Sequence, residues 1–213
     1  MTDTLKIAIV DDDDAVSDSL DVLLRACGFE TSVFQTVAGF AAIDAEGFDA
    51  ILLDVRLPDG DGISVLQGLH QKGVQTPVLI MTGHGDVPMA VRAMRYGAVD
   101  FIEKPFDPDQ MLASIDSAIE QMKEKRVAES ASVEARERVA KLTTREHEIM
   151  LALVSGKPNK IIAYELELSP RTVEVHRARI MEKTAAGSLS GLVRLAISAG
   201  VDPDAEDTSG ASK

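Results

Sequence analysis

The chain has 213 residues and a formal net charge of −13, with 45% hydrophobic and 27% charged residues. This length fits two modest domains or one large domain, and the hydrophobic content supports a packed core. No apolar run approaches the roughly 20 residues that a membrane-spanning helix needs, and the first residues lack the pattern of a signal peptide. The lone cysteine, Cys27, has no internal disulfide partner. We therefore expect a cytoplasmic protein without a membrane partner, and a Cys27 thiol in or near the core.

The acidic charge is distributed unevenly along the chain. Residues 1–125 contain 22 acidic and 9 basic residues, whereas residues 143–200 contain 6 acidic and 8 basic residues. Only the second of these segments has a charge sign compatible with a polyphosphate partner such as nucleic acid. The asymmetry predicts two domains with different functions. The expected boundaries are a first domain over 1–122, a linker over 123–142, a second domain over 143–200 and a disordered acidic tail over 201–213.

Strand and helix patterns alternate through the first domain. Five short apolar runs bounded by turn formers predict strands over 5–10, 31–34, 50–53, 78–82 and 99–102. Amphipathic stretches predict helices over 16–26, 37–45, 62–72, 87–96 and 108–122. This alternation predicts an α/β domain with a flavodoxin-like, doubly wound parallel sheet, helices on both faces and strand order 2-1-3-4-5.

Acidic side chains gather where the winding of this sheet would reverse. Asp11 and Asp12 follow the first strand, and Asp54 follows the apolar run of the third. Because the carboxyl ends of parallel strands meet at one edge, these carboxylates would lie close together and repel one another. A hard divalent cation would relieve the repulsion, and Mg²⁺ fits the oxygen ligands. Taken alone, Asp54 could instead simply cap the turn before Pro58.

Two further polar side chains follow the fourth and fifth strands. Thr82 and Lys104 place a hydroxyl and an ammonium group at the same edge of the sheet. Together with a carboxylate and a metal ion they form a phosphoryl site, in which the carboxylate is the nucleophile and the cations neutralise phosphoryl oxygens. His84, which lies between two glycines, is interpreted as a solvated loop residue, and Asp86 as a helix N-cap.

These motifs resemble the receiver domain of two-component response regulators, over residues 5–106. The motifs that carry the resemblance are Val10-Asp11-Asp12, Asp54 with Pro58 and Gly62, Thr82, and Lys104-Pro105. The resemblance implies that Asp54 accepts a phosphoryl group from a cognate sensor histidine kinase. It also implies a protein that is not an enzyme in the usual sense, because it catalyses only its own phosphorylation and dephosphorylation.

The same resemblance implies a role for each remaining residue at the sheet edge. The implied Mg²⁺ ligands are Asp11, Asp12, Asp54 and the backbone carbonyl of Arg56. Thr82 and Lys104 would assist phosphoryl transfer, and Lys104-Pro105 would be a cis peptide. Thr82 and Phe101 would act as the switch, since the hydroxyl turns toward the phosphoryl group and the ring takes up the vacated space.

The predicted fourth helix has more apolar positions than one buried face can hold. Residues 87, 90, 91 and 94 form one stripe, and residues 89, 93 and 96 form another. One stripe must cover the sheet, and the other is free to meet a partner, although a broadly buried helix is the alternative. Receivers that resemble this one commonly dimerise through this helix and the fifth strand when phosphorylated. The expected homodimer contacts are Val87, Val91, Met94, Arg95 and Phe101.

The linker and the second domain read as helical. The apolar 3-4-3 spacing of residues 112–122 stops before residue 126, so we predict a helical or partly ordered connector and no sustained coiled coil. Capping patterns predict four further helices that start near residues 144, 159, 170 and 188–190. The short turn over 167–169 makes the second and third of these a helix-turn-helix candidate.

The third of these helices carries the candidate DNA contacts. Val173, His176 and Ile180 share one side and should pack inward. His176 is therefore interpreted as a hydrogen-bonded core residue in preference to a residue that contacts a base. Val175 lies opposite, where it could meet a thymine methyl group in a major groove. Basic side chains could contact phosphates, although a solvated helix face is the alternative. The predicted DNA-binding set is Lys160, Arg171, Thr172, Val175, His176, Arg177, Arg179 and Lys183.

The second domain resembles the four-helix effector domain of the FixJ/NarL (LuxR-type) regulators. The motifs that carry this resemblance are Leu142-Thr143-Thr144-Arg145-Glu146, Asn159-Lys160-Ile161-Ile162-Ala163 and Ser169-Pro170-Arg171-Thr172-Val173 with Glu174-Val175-His176 and Lys183. Two motifs of the first domain favour FixJ-like members, namely Gly83-His84-Gly85-Asp86-Val87-Pro88 and Glu103-Lys104-Pro105-Phe106. The resemblance implies a phosphorylation-activated, dimeric transcription factor that binds double-stranded promoter DNA and acts with RNA polymerase. Glu174 and Ala178 depart from the lysines of NarL-like relatives, so no operator sequence is predicted.

Two other functions are compatible with parts of the sequence. A phosphatase on a similar fold would use Asp54 as its nucleophile, but it would need a second acid where Arg56 stands. A phosphate sink or protein-binding regulator would direct its helix-turn-helix toward protein instead of DNA. For the transcription factor itself, the unphosphorylated receiver would either mask or misplace the effector surface, and the sequence leaves both options open.

Overall fold

The computed structural model describes residues 4–83 and 87–201, except for the side chain of Val87. The chain divides into two compact units, residues 1–124 and 125–213. The interpretations of His84 and Asp86, and that of the acidic tail after Val201, concern positions outside the described residues. Within the described ranges, no helix is both long enough and apolar enough to cross a bilayer.

A parallel sheet of five strands forms the centre of the first unit. Strands β1 to β7 are, in chain order, Lys6–Val10, Glu30–Phe34, Ala50–Asp54, Arg56–Leu57, Gly60–Asp61, Val78–Thr82 and Asp100–Glu103. The sheet has the order β2-β1-β3-β6-β7, and β4 and β5 pair only with each other as an antiparallel hairpin. Counted over the five long strands, this is the predicted order 2-1-3-4-5, so the predicted fold is confirmed.

Helices cover both faces of this sheet. Helices α1 to α5 are Asp14–Ala26, Val37–Ala41, Gly62–Gln71, Val87–Arg95 and Pro108–Val139. Ile51 and Leu53 of β3 pack with residues of α2, α3 and α4, whereas Leu52 packs with residues of α1 and α5. Successive β3 side chains alternate between the two clusters because strand side chains point to opposite faces. Strand β3 is therefore buried on both faces, as its unbroken apolar run predicts.

Helix α2 is shorter than its sequence pattern predicts. The predicted segment over 37–45 ends as an α-helix at Ala41, and a 3₁₀ turn follows at Ala45–Gly47. The side chain of Asp44 accepts a hydrogen bond from the backbone N–H of Glu46 at 3.0 Å. This local bond stabilises a separate turn where the apolar pattern alone suggests a continuing helix.

Cys27 is exposed, so its predicted place in or near the core is wrong. The preceding helix buries Leu20 and Leu24. Cys27 is the C-cap of that helix, and Gly28 follows with φ of 90°. The thiol therefore lies where the chain leaves the helix, beyond the last turn that packs on the sheet.

The second unit contains four helices after the end of α5. Helices α6 to α9 are Thr144–Val154, Asn159–Glu165, Pro170–Thr184 and Leu189–Ser198. Thr143, Ser169 and Ser188 each accept a backbone hydrogen bond at the start of α6, α8 and α9. One apolar cluster joins all four helices, with Val173 and Ile180 of α8 fully buried. The predicted all-α four-helix domain is confirmed.

Helix α5 is a single helix of 32 residues that contributes to both units. Ile115 and Ile119 pack in the core of the first unit, and Val139 packs in the core of the second. Between these positions Val127 and Val133 are 70% and 52% exposed. Most of the predicted linker is therefore helical in the structure. The linker boundaries at 123–142 stay a prediction.

Candidate functional site

Three carboxylates lie together at the carboxyl ends of β1 and β3. Ligand oxygens of Asp11, Asp12 and Asp54 all lie within 4.8 Å of one another. Asp11 and Asp54 are buried, and Asp12 is exposed. The parallel pairing of β1 with β3 places their ends side by side at the point where the sheet order reverses. The structure therefore brings together the acidic residues that the sequence placed at this edge.

Lys104 is the cation that contacts this cluster within the described part of the chain. Its Nζ lies 2.5 Å from Oδ2 of Asp11 and 2.9 Å from Oδ1 of Asp54. Burial disfavours the charge on Lys104, but the hydrogen bonds from its ammonium to Asp11 and Asp54 outweigh burial and raise the lysine pKa. The Lys104-Pro105 peptide is cis, as the resemblance implies. A single lysine thus bridges the two buried carboxylates.

Burial shapes the protonation of Asp11 more than any neighbour does. Desolvation raises the pKa of Asp11 above its ordinary value, and the hydrogen bond from Lys104 lowers it in opposition. The backbone N–H of Asp13 also donates to Oδ1 of Asp11, at 3.1 Å. Asp13 itself caps α1, because its side chain accepts from the backbone N–H groups of Ala15 and Val16. This capping role of Asp13 was not predicted from the sequence.

The ligand atoms suit magnesium. Three carboxylates and one ammonium group leave the crevice with excess negative charge in a partly desolvated place. Carboxylate oxygens are hard donors, and Mg²⁺ binds through one or two of them while it retains several waters. Arg56 lines the same crevice with Thr82 and Gly83. The residues present therefore fit Mg²⁺ by their chemistry.

The backbone around Asp54 is held closely. Oδ2 of Asp54 accepts a hydrogen bond from the backbone N–H of Arg56 at 2.9 Å. The backbone N–H of Gly62 donates to the carbonyl of Val55 at 2.8 Å. A Cβ atom at Gly62 would lie 2.1 Å from the carbonyl oxygen of Asp54, which is too close for any side chain. Gly62, quoted for the resemblance, therefore has a steric role beside the candidate nucleophile.

The two predicted switch residues occupy neighbouring strands. Thr82 ends β6 and is 3% exposed, and its hydroxyl lies 3.9 Å from the sulfur of Met89. Phe101 lies in β7, is half-buried and packs against the core cluster under α2, α3 and α4. Both side chains are therefore close to the face of the sheet that α4 covers.

Helix α4 exposes one of its two apolar stripes. Met89, Ala93 and Tyr96 pack against the core of the first unit. Val91 and Met94, by contrast, are 48% and 51% exposed. The alternative of a broadly buried helix is therefore wrong for the described side chains. Arg95 is exposed beside this stripe, and the side chain of Val87 lies outside the described part of the chain.

The predicted DNA contacts fall into two groups in the structure. Val175 is 46% exposed on α8, opposite the buried Val173 and Ile180. The exposed basic residues are Lys160 on α7 and Arg171 and Arg179 on α8. Arg177 and Thr172 are half-buried, and the Thr172 hydroxyl lies 2.8 Å from that of Ser169. Angular sorting of the helix from sequence thus placed the inward and outward residues of α8 where the structure has them.

Lys183 forms an ion pair inside the second unit. Its Nζ lies 2.6 Å from Oε2 of Glu146, a buried residue in the first turn of α6. The hydrogen bond from Lys183, followed by that from the backbone of Thr143, lowers the pKa of Glu146 to about 2. Thr143 and Glu146 also form a capping box. The Thr-x-x-Glu spacing of this box could have identified Glu146 from the sequence, but not its lysine partner.

His176 does not match its predicted surroundings. Its Nδ1 atom is buried and has no hydrogen-bond partner among the described residues. The neighbouring residues of α8 on this side, Val173 and Ile180, belong to an apolar cluster and offer no polar group. The interpretation of His176 as a hydrogen-bonded core residue is therefore wrong for this atom.

Comparison with known proteins identifies the family to which this chain belongs. Residues 7–116 match the family model of the response regulator receiver domain, and residues 140–196 match that of the bacterial regulatory proteins of the luxR family. The chain belongs to the response regulators. It combines a receiver domain with a LuxR-type DNA-binding domain, as the two resemblances predicted.

Several relatives match this response regulator over nearly its whole length. The transcriptional regulatory protein FixJ of Bradyrhizobium diazoefficiens is 46% identical over 202 residues, which are 94% of this chain and 98% of that protein. Full-length FixJ from B. japonicum is a solved structure with 44% identity and a TM-score of 0.59, covering 95% of this chain and all of that one. The response regulator StyR has 34% identity and a TM-score of 0.76, covering 91% and 98%. This chain is thus a FixJ-like response regulator in the class of transcription factors.

Proposed function

We propose that Asp54 of this response regulator accepts a phosphoryl group from a sensor histidine kinase. The observation that carries the proposal is the contact of Lys104 with both Asp54 and Asp11, in a cluster that Asp12 completes. Such a constellation combines a nucleophilic carboxylate, a fixed cation and a set of hard oxygen ligands. No second acid stands at Arg56, which disfavours the phosphatase alternative.

The chain's own groups divide the work of phosphoryl transfer. A carboxylate oxygen of Asp54 forms a bond to phosphorus while the bond from phosphorus to the kinase histidine nitrogen breaks. The ammonium group of Lys104 neutralises a phosphoryl oxygen, and the Thr82 hydroxyl donates a hydrogen bond to another. Asp11, Asp12, Asp54 and the backbone carbonyl of Arg56 would hold Mg²⁺, which would supply further charge neutralisation. The receiver therefore contributes to the transfer mainly by positioning the nucleophile and by neutralising charge on the phosphoryl group.

Phosphorylation would act through the α4 face of the receiver. Movement of the Thr82 hydroxyl toward the phosphoryl group frees space that the Phe101 ring can take up. The contact face for a second copy would consist of Val87, Val91, Met94, Arg95 and Phe101. The exposure of Val91 and Met94 supports this choice, because large apolar side chains on one stripe favour a protein partner.

The second domain would place α8 in the major groove of promoter DNA. Lys160, Arg171 and Arg179 would contact phosphates together with Arg177, and Val175 would contact a base or sugar. Lys183 would hold α8 on α6 through its ion pair with Glu146 and would contact a phosphate only by giving up that pair. The domain boundaries at 122, 142 and 200, a cytoplasmic location and contact with RNA polymerase belong to the same proposal.

A single set of variants tests this proposal. Full-length protein with Mg²⁺ and acetyl phosphate should become phosphorylated, dimerise and protect promoter DNA in footprinting, whereas Asp54→Asn should do none of these. The loss of DNA affinity should be on the order of a hundredfold, because two linked half-sites bind far more tightly than one. Asp18→Asn, an equivalent change on the exposed face of α1, is the control and should behave as wild type. A donor-dependent dimer of the Asp54→Asn protein would contradict the proposal.

A further inference from the structure

Asp59 links the short hairpin after Asp54 to a helix on the same side of the sheet. It lies in the turn between β4 and β5. Its Oδ1 accepts from the backbone N–H of Val37 at 2.7 Å, and its Oδ2 accepts from that of Ala38 at 2.9 Å. These hydrogen bonds lower the pKa of Asp59, the one from Ala38 most strongly. Both oxygens of the Asp59 carboxylate are therefore bound to backbone N–H groups in the first turn of α2.

The tip of this hairpin also packs tightly on α2. A Cβ atom built at Gly60 would lie 2.9 Å from Cγ2 of Val37, so the backbone of Gly60 fits against that side chain without spare room. Thr36 is the N-cap of the same helix, and its hydroxyl accepts from the backbone N–H of Gly39 at 3.0 Å. Two side chains thus accept hydrogen bonds at the start of α2. Thr36 directly precedes the helix, whereas Asp59 belongs to the hairpin.

The base of the hairpin reaches the candidate phosphoryl site. Arg56 pairs with Asp61 across the hairpin, and Leu57 pairs with Gly60. The backbone N–H of Arg56 donates to Oδ2 of Asp54 at 2.9 Å. Asp61 then caps α3 through the backbone N–H of Ile63 at 3.2 Å. The peptide groups of Arg56 are thus fixed between the nucleophile at one end and two helix starts at the other.

We propose that Asp59 is a positioning residue, which anchors the β4–β5 hairpin to α2 and thereby orients the backbone of Arg56 for Mg²⁺ binding. This inference rests on the proposed function, in which the Arg56 carbonyl is a metal ligand. A two-residue ladder is too short to fix a peptide plane alone, because isolated hairpins are marginal in water. With the tip free, the carbonyl would sample orientations that point away from the metal.

The test is a calorimetric titration of the full-length protein with MgCl₂. Asp59→Ala should weaken Mg²⁺ binding by about fivefold to tenfold, at or just below the range for residues that orient a metal ligand directly. With acetyl phosphate, the Mg²⁺ concentration for half-maximal phosphorylation should rise by the same factor, while the rate at saturating Mg²⁺ stays within about twofold. If Asp59 had a purely structural role, Asp59→Ala would lower thermal stability but would not raise the Mg²⁺ requirement while leaving the rate at saturating Mg²⁺ unchanged.

Two further variants separate anchoring from helix stability and from charge. Thr36→Ala removes a cap from the same helix without touching the hairpin, so it should lower the melting temperature and leave Mg²⁺ affinity unchanged. Asp59→Asn removes the charge but keeps one acceptor oxygen, so its Mg²⁺ affinity should lie between those of the wild type and Asp59→Ala. This intermediate value also supports the inference if Asp59→Ala fails to fold.

Three results would overturn the inference, and they differ from failure of the proposed function. Equal Mg²⁺ affinity in wild type and Asp59→Ala would remove the positioning role. Equal losses in Asp59→Ala and Thr36→Ala would assign the effect to α2, and equal losses in Asp59→Ala and Asp59→Asn would assign it to charge alone. A wild-type protein that neither binds Mg²⁺ nor becomes phosphorylated would instead refute the site itself.

Discussion

Close backbone approaches decide which residues are tolerated beside Asp54. Gly62 stands at the start of α3, where a Cβ atom would lie 2.1 Å from the carbonyl oxygen of Asp54. The same helix contains Gly68, where a Cβ atom would meet nothing within 4 Å. Gly62 is therefore required by its contact with the sheet edge, whereas Gly68 has no such contact and only makes the helix more flexible.

Alanine should have opposite effects at these two glycines. Gly62→Ala should destabilise the receiver by about 1–3 kcal/mol, because β3 and α3 must separate to admit a methyl group. Gly68→Ala should stabilise it by about 0.5–1 kcal/mol, because alanine costs less conformational entropy in a helix. Thermal unfolding followed by circular dichroism measures both. Stabilisation by both alanines would show that the strand end yields to the methyl group.

At the scale of elements, one ion pair ties the ends of two helices in the DNA-binding domain. Glu146 lies in the first turn of α6, and its partner Lys183 lies in the last turn of α8. A carboxylate at a helix start and an ammonium at a helix end both oppose the partial charges of the helix termini. The pair also fixes α8, which carries the proposed DNA contacts, against α6.

The ion pair should make the DNA-binding domain sensitive to acid. The folded-state pKa of Glu146 is lowered from 4.5 to about 2. A depressed carboxyl pKa adds stability that is fully present above the unfolded value and is lost as pH falls toward the folded value. We therefore expect this contribution to disappear between about pH 4.5 and pH 2. Calorimetric melting of the full chain over that range measures it.

Glu146→Gln is the matched variant for this effect. Glutamine keeps the shape and a hydrogen-bonding oxygen but cannot carry the charge that pairs with Lys183. Its melting temperature for the DNA-binding transition should be below that of wild type at pH 7, and the difference should shrink toward pH 2. A difference that stays constant over this pH range would mean that the carboxylate charge contributes nothing.

At the scale of the whole molecule, acidity and DNA binding are divided between domains. The first 125 residues hold most of the negative charge, whereas residues 143–200 hold a small excess of positive charge. Few phosphate contacts from one such domain give weak, salt-sensitive binding. Pairing two copies would raise affinity without any new DNA contact, because the second half-site is then bound at a high effective concentration. In the proposed function, dimerisation through α4 would therefore be the step at which phosphorylation controls DNA binding.

A charge on the exposed stripe of α4 should uncouple the two domains. Met94→Asp should keep phosphorylation of Asp54 but prevent the dimer, because a carboxylate would be buried without a partner in the new interface. Light scattering after gel filtration, with beryllofluoride and Mg²⁺, should give monomer for Met94→Asp and dimer for wild type. Val22→Asp on α1 is the control, since Val22 is 69% exposed and lies outside the α4 face. A Met94→Asp dimer would place the interface elsewhere.

The sequence by itself determined the order of strands and helices, the four-helix domain and the gathering of Asp11 and Asp54. Periodicity, capping residues and parallel strand ends are local or topological signals, so they can be read without coordinates. The β4–β5 hairpin and the early end of α2 were missed, because two-residue strands and single side-chain caps leave no periodic pattern.

Only the tertiary structure decided which groups touch across long separations in the chain. The carboxylate of Asp59 meets α2, and Lys183 meets Glu146. It also decided that Cys27 is exposed and that Nδ1 of His176 has no partner in the described part of the chain. The physical reason is that such contacts depend on the packing of whole elements, whereas a sequence pattern reports only the face on which a residue lies.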